Sequence, residues 1–394
     1  GENEIIYHEE SDYQARTHIQ IIGGNIQGSV YGAGNSNGAG NLTNGNIAIS
    51  KITIDMTGGS VSESIYGGSN SAGTVYGDIY INAINGDVGE SIYGGGKGGY
   101  ASSSSTGTYV AYNIDIQIGN QSTSSLTIHG NVYGGSAFGT VNAMDQTTDT
   151  SDYGTFVTVN NGVINGSVFG GGQGDTTYTP RVVGPIQVTI NGGDMTNVFG
   201  GNDQAGTHTA LNEVYLNGGT INSVYGGGNQ SSVLNTHVYE QGSIVNAIYG
   251  GSNTSGSVTT TTVQVSSGTV GNVYGGNNEG GSCGTTNVTI EGSATISSSV
   301  YGGGNQVDTA TTNVTLTSAN GTITNVFGGG DNASVTSANI IEQGITVTNI
   351  FGGSNSDGSV ASSSITCTSG TTTNIYGRPC AHARAGNFHY TTCQ

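Results

Sequence analysis

The chain has 394 residues, of which 72 are glycine and 3 are proline, and its formal net charge is −19. The glycines follow no Gly-X-Y triplet, which excludes collagen, and the alternating Val, Ile and Thr residues argue against simple disorder. Lys and Arg together number six, with none from Val182 through Gly377. Nucleic acid is therefore not an expected partner, because binding its phosphate backbone needs a basic stripe. No apolar run reaches membrane-spanning length.

Residues 1–18 precede the first repeat and are rich in acidic side chains. We predict that they form an acidic cap or docking segment, because the open end of a stacked-strand fold must be covered or used as an interface. The candidate docking residues here are Glu2, Glu4, Glu9, Glu10 and Asp12.

A short phrase, Val/Ile-Tyr/Phe-Gly, usually continued by Gly and Asn, recurs thirteen times between positions 19 and 376. Its later copies are spaced by 24 to 27 residues, within the range of solenoid repeats. We expect the aromatic residues to stack as a ladder at one corner of the fold, with an exposed stripe that contacts glycans as the alternative. They are Tyr31, Tyr66, Tyr93, Tyr133, Phe169, Phe199, Tyr225, Tyr249, Tyr274, Tyr301, Phe327, Phe351 and Tyr376.

Within one repeat, aliphatic residues alternate with polar ones, as at Val288 and Ile290, and resume at Ile296 and Val300. Period-two alternation places these side chains on one face of short strands, and one repeat of about 25 residues cannot bury that face alone. The sequence therefore predicts an all-β fold, a parallel β-solenoid or β-helix of about thirteen rungs with irregular caps. Asn residues after the glycines are expected to form amide ladders along the stack.

The early repeats are longer and contain insertions near Lys97–Tyr112, Gly139–Phe156 and Gln173–Pro185. Insertions in a solenoid emerge from its side and often form the contact face, so lateral binding is expected on the N-terminal half. Simple surface elaboration is the alternative.

Residues 377–394 follow the last repeat and form a predicted basic cap or docking segment, with Arg378 and Arg384 as docking candidates. The cysteines, all disulfide candidates, are Cys283, Cys367, Cys380 and Cys393. We favour a disulfide between two of the last three, or a bridge to another subunit, over a zinc site that would add His382 and His389, because the Cys-x-His spacing is not a usual one. We expect Cys283 to be either a free thiol or bonded to another molecule.

Catalysis is not expected, since the regular repeats lack the cations that a hydrolytic or lyase site would combine with acids. No catalytic residues, cofactor or metal ligands are therefore assigned, although the acidic surplus suggests weak Ca²⁺ binding. Thr-rich segments such as Thr259–Thr262, Thr285–Thr286 and Thr311–Thr312 suggest an ice-binding array, but Thr-x-Thr does not recur in every repeat.

From about Ile19 to Tyr376 the chain resembles the Gly-rich repeats of large secreted surface proteins of anaerobic bacteria and archaea, in which Val-Tyr-Gly-Gly-Gly units alternate with Val-x-Val/Ile strands. It also resembles proteins that build sheaths or fibres around methanogenic archaea. The resemblance implies self-assembly or adhesion outside the cell and supplies no catalytic residues.

These observations together predict a non-enzymatic, self-assembling subunit of an extracellular fibre, sheath or surface layer. Its expected partner is itself, head to tail or laterally, because one end segment is acidic and the other basic. The alternative is an adhesin-like module that binds glycans or surfaces through the side loops or the aromatic stripe. A Lys-poor, Ser/Thr/Asn/Gly-rich chain with cysteines favours an extracellular location.

Overall fold

The structure is a computed structural model that describes residues 5–43, 46–98, 107–122, 124–319, 321–377 and 391–393. In these residues the regular elements are strands, apart from one 3-10 turn at Glu10–Asp12. The strands stack in parallel around a common interior, which confirms the predicted all-β solenoid. No helix within these ranges has the length and apolar character required to cross a membrane.

Contacts between residues divide the chain into unit 1, Gly1–Asn212, and unit 2, Glu213–Gln394. In unit 1 a full rung contains four short strands, one in each of four parallel stacks. Stack A comprises Ala15–Ile21, Ser50–Met56, Gly77–Ala83, Ile114–Ile118, Thr155–Val159 and Ile186–Ile190. Stack B comprises Asn25–Ile26, Ser60–Val61, Gly86–Val88, Leu126–Ile128, Val163–Ile164 and the start of Asp194–Phe199.

Stack C of unit 1 carries the aromatic residues. Along the chain, each strand of stack D follows a strand of stack C and precedes the stack A strand of the next rung. Stack C comprises Val30–Tyr31, Ile65–Tyr66, Ile92–Tyr93, Val132–Tyr133, Val168–Phe169 and the end of Asp194–Phe199. Stack D comprises Gly73–Val75, Thr108–Val110, Thr140–Val141, Arg181–Val182 and the start of Thr207–Leu216. A small antiparallel hairpin, Asn41–Thr43 with Asn46–Ala48, stands apart from the stacks.

In unit 2 the same order of strands runs almost without interruption through each rung. Its strands are Thr220–Tyr225, Ser232–Tyr249, Ser257–Tyr274, Ser282–Gly292, Thr295–Ile296, Ser299–Tyr301, Thr309–Ala319, Thr322–Phe327, Val335–Phe351, Val360–Tyr376 and Thr391–Cys393. They pair in parallel, with identical positions of successive repeats in register, as at Val273, Val300 and Val326. We use the letters A to D for the corresponding parts of these rungs.

The core is the column of aliphatic side chains inside the strands. In Ser50–Met56 buried and half-buried residues alternate, and Ile52, Ile54 and Met56 are fully buried. Val300 of unit 2 is likewise 0% exposed. This alternation is the pattern that the sequence predicts for strands with one face inward.

Two kinds of position account for the glycines at the corners. Gly275 follows the aromatic Tyr274, and a Cβ built on it would lie 2.1 Å from the carbonyl oxygen of Gly302 in the next rung. Gly281 instead has φ of +87°, a conformation that other residues rarely adopt. Glycine is thus needed at the aromatic corner for close approach of successive rungs, and at the next turn for its backbone angle.

Buried threonines line the inner face of part A in unit 2. Thr236, Thr261, Thr286 and Thr312 are each 0% exposed, and their hydroxyls donate to the carbonyl oxygens of Gly250, Gly275, Gly302 and Gly328 at 2.5–2.6 Å. One residue of each Thr run named above therefore faces the core. Its hydroxyl bonds the strand to the aromatic corner, so this threonine is not part of an exposed array on the outer face.

Amide ladders follow the turns after the glycines. The side-chain amide of Asn278 donates to Asn253 at 2.8 Å, and that of Asn305 donates to Asn278 at 2.8 Å. These bonds join successive rungs in the turns, alongside backbone bonds such as that from Asn305 N–H to the Asn277 carbonyl oxygen at 3.0 Å.

Candidate functional site

The thirteen aromatic side chains of the repeat stack face to face within each unit. In unit 1 the rings from Tyr31 to Phe199 lie 4.5–5.0 Å apart between centroids, with interplanar angles of 4–12°. In unit 2 the rings from Tyr225 to Tyr376 lie 4.6–5.0 Å apart, at 4–10°. Most are buried, and burial raises the pKa of the Tyr66 phenol to about 12. A buried ladder stabilises the corner and leaves little ring surface for a glycan.

The first rung of unit 1 and the last rung of unit 2 each contain a core position that is more exposed than its counterpart in the neighbouring rung. Ile19 occupies the same column as Ile54, yet Ile19 is half-exposed whereas Ile54 is fully buried. At the last repeat Ile375 continues the column of Ile350 and is half-exposed, and Tyr376 is 45% exposed. These residues have the sequence of interior rungs but lack cover on their outer side among the described residues.

The N-terminal segment runs along the outer face of stack A in unit 1. Asp78 is fully buried there and accepts hydrogen bonds from the Tyr13 hydroxyl at 2.6 Å and the Asn113 backbone N–H at 2.8 Å, with His8 Nδ1 also 2.8 Å from the carboxylate. Burial, followed by the bond to Asp78, raises the pKa of Tyr13. The backbone N–H of Ile6 donates to the Asp152 carbonyl at 2.9 Å, so the segment ties several rungs together.

The acidic docking candidates are partly engaged within the chain. Glu10 contacts Lys51 and lies 3.4 Å from Arg16 Nη2, and the hydrogen bond from Lys51 is the main cause that lowers the pKa of Glu10. The side chain of Asp12 accepts from the Glu9 backbone N–H at 2.9 Å. Four further docking candidates lie outside the described residues, namely Glu2, Glu4, Arg378 and Arg384.

The three insertions of unit 1 meet at a cleft of about 700 Å³ beside stack D. Tyr109 comes from the first insertion, Phe138 borders the second, which also contributes Asp149, and Arg181 comes from the third. Arg181 is fixed by the carbonyl oxygens of Gln146 and Thr148, both at 2.8 Å, and by Asp149 Oδ1 at 3.2 Å. The long early repeats thus contribute short strands to stack D, and the residues that flank these strands form a concave surface.

The cysteines differ in placement. Cys283 is 6% exposed, lies in register between Val258 and Thr309, and burial raises the pKa of its thiol to about 12. No disulfide is present among the described residues, so the expected staple is not seen there. Cys367 has Cys393 as its backbone neighbour in the adjacent strand. Cys380, His382, His389 and the side chain of Cys393 lie outside the described residues.

Two buried glutamates were not predicted from the sequence. Glu240 and Glu342 are 0% and 1% exposed, and each accepts backbone N–H groups from the residues two and three positions later. The signal that could have found them is the tripeptide Glu-Gln-Gly, which occurs at both positions. The carboxylate substitutes for backbone pairing where the chain bulges between parts A and B.

No group of three or more His, Cys, Asp or Glu side chains is placed to hold a metal ion within the described ranges. Comparison with protein-family models, with curated proteins and with solved structures found no match for this chain.

Proposed function

We propose that this chain is a non-enzymatic structural protein that assembles head to tail into an extracellular fibre, sheath or surface layer. The observation that carries the proposal is the partly exposed core position at the first rung of unit 1 and at the last rung of unit 2. Ile19 and Ile375 stand in columns whose interior members are fully buried, so another rung placed on either one would complete the same packing.

The geometry of parallel strands favours addition of further copies. The strand Ala15–Ile21 pairs with Ser50–Met56 on one side, and no described strand pairs with its other side. An unpaired strand edge is a template for another chain. Because the two outermost rungs present different edges, the contact between copies would be heterologous, and such contacts propagate into open filaments.

The charge distribution of unit 2 supports lateral contacts as well. Its exposed acids among the described residues are Glu279, Asp308 and Asp357, and all three lie in turns that follow the aromatic corner. The outer face of part B instead carries an uncharged column of exposed threonines, namely Thr269, Thr295, Thr322, Thr346 and Thr371. Copies of a chain with net charge −19 repel one another least where such a face is presented.

An extracellular location is part of this proposal. It rests on the resemblance of the Val-Tyr-Gly-Gly repeats to secreted surface proteins and on the Lys-poor composition.

Electron microscopy of two matched variants tests the proposal. Tyr376→Asp replaces the last ring, which is 45% exposed, with a carboxylate, and Leu234→Asp does the same to a lateral side chain that is 46% exposed. We expect filaments from the unaltered chain and from Leu234→Asp, and single particles from Tyr376→Asp. Only Tyr376→Asp would bury a charge in the contact between copies.

Light scattering over a range of concentrations measures whether the chain assembles, and two results would contradict the proposal. An unaltered chain that stays monomeric up to its solubility limit contradicts assembly altogether. Filaments that tolerate Tyr376→Asp as well as Leu234→Asp show that the last rung is not the contact.

A further inference from the structure

The cleft beside stack D of unit 1 is a concave feature to which no role has yet been given. Its volume of about 700 Å³ lies within the range of small-ligand sites, about 300–1,000 Å³. It is built by the three insertions that distinguish the early rungs from the regular ones. Unit 2, with repeats of 24 to 27 residues, has no insertions of this length.

One wall of the cleft offers paired hydrogen-bond donors and acceptors. The Arg181 guanidinium makes three hydrogen bonds, to Gln146, Thr148 and Asp149, and has five N–H donors in a rigid fork. Two of the five donors make no bond to the described residues, and the Asp149 carboxylate, which is 87% exposed, has room to accept further bonds. Neighbouring hydroxyls of a sugar ring can donate and accept, so they match a wall that offers both kinds of group.

Aromatic residues supply the apolar part of the cleft. Phe138 lines it, is half-buried, and packs against Tyr178 with ring centroids 5.1 Å apart and planes tilted by 46°. Tyr109 also lines the cleft. An aromatic ring that is held in place by its neighbour binds the C–H face of a sugar with little loss of conformational entropy.

The charges of the cleft define the class of ligand. Its lining contains one cation and one anion, Arg181 and Asp149, and they are paired with each other. A polyanion would meet both this neutralised arginine and the repulsion of a chain with net charge −19. We propose that the cleft binds a neutral saccharide, such as the hexose units of a short oligosaccharide or of a polysaccharide chain.

Saccharide binding to this cleft is independent of assembly, so the experiment uses the full-length chain carrying Tyr376→Asp and its unaltered counterpart side by side. Binding is surveyed on an array of neutral and acidic oligosaccharides and then measured by calorimetry. We expect a neutral oligosaccharide to bind both chains alike, with an affinity that changes little with salt, because no net charge is neutralised.

Two pairs of matched variants locate the site. Phe138→Ala is expected to weaken binding about tenfold, or about 1.4 kcal/mol, through loss of the ring under the sugar. Its control is Phe156→Ala, a half-buried ring on stack A of the same unit. Asp149→Ala is expected to weaken binding by a similar factor, and its control is Asp87→Ala, an exposed acid whose carboxylate lies 3.0 Å from His129 Nε2.

Three results would overturn the proposal. The first is absence of binding to every neutral saccharide on the array. The second is an affinity that Phe138→Ala and Asp149→Ala leave unchanged. The third is selective binding of acidic saccharides that disappears with added salt, which would assign the cleft to an anion through Arg181.

Discussion

Placing a carboxylate in the aliphatic column of unit 2 tests the strand phase on which the fold depends. Val300 is fully buried, and its register partners Val273 and Val326 are also 0% exposed. Val300→Asp therefore puts a polar group between two valines, next to the stacked ring of Tyr301. No water reaches this position to solvate the new group.

The expected cost follows from two terms. Losing the buried valine side chain costs about 1.5–3 kcal/mol, and burying a carboxyl group without a hydrogen-bond partner costs at least about 2 kcal/mol more. The sum, at least about 3.5–5 kcal/mol, is a large fraction of the stability of an ordinary domain. Because repeats couple mainly to their neighbours, we expect the loss to fall on the rungs around Val300.

Urea unfolding measures this effect, with far-ultraviolet circular dichroism for the strands and near-ultraviolet dichroism for the tyrosine ladder. Val300→Ala should cost about 2 kcal/mol, since it removes methyl groups without adding a polar one. Ser297→Asp, at an exposed position of the same rung, should change stability by no more than about 0.5 kcal/mol. A Val300→Asp transition that coincides with that of Ser297→Asp would show that Val300 does not face the core and that the strand phase is wrong.

Three further changes have defined outcomes. Asp78→Ala should destabilise unit 1 by about 3 kcal/mol or more, since it leaves buried donors unpaired, and it should expose residues 5–14 to protease. Asp87→Ala, at the surface, should have neither effect. Equal digestion of the two variants would contradict the role of Asp78. Burial raises the pKa of Glu240 above its ordinary value of 4.5, so its contribution to stability is full below that pH and is lost as pH rises through the folded-state pKa. Glu240→Gln should therefore gain stability relative to the unaltered chain as pH rises from below 4.5 to neutrality, and a difference in urea midpoint that is independent of pH would refute this. Because burial raises the pKa of the Cys283 thiol to about 12, iodoacetamide should modify Cys283 only after unfolding in urea, as read by peptide mass spectrometry; rapid modification of the folded chain would place this residue outside the core.

Local patterns were sufficient to predict the repeating part of the fold. The alternation at Val288 and Ile290 and the aromatic-glycine corner at Tyr301 depend on a period of two and on close approach of backbones, which are properties of neighbouring residues. The same patterns say nothing about residues that meet from distant rungs. Asp78 receives His8 and Tyr13 from about 65 to 70 positions away, and no sequence spacing announces that cluster.

The threonines illustrate the limit most clearly. Thr285 and Thr286 are adjacent and chemically identical, yet Thr286 is fully buried and bonds to Gly302, whereas Thr285 lies on the outer side. Which of the two faces inward depends on the register with the next rung, because a shift of one residue exchanges the two faces of a strand.

The amino-acid sequence by itself determined that this chain is a stack of similar β rungs with an aromatic corner, since repetition and alternation are written into consecutive residues. Only the tertiary structure decided that the aromatic rings are buried and that Cys283 is a core residue. It also brought the three insertions of unit 1 together around Arg181. These features arise from contacts between residues that parallel stacking brings within a few ångströms while the chain keeps them tens of positions apart, and their positions depend on rung length and register together.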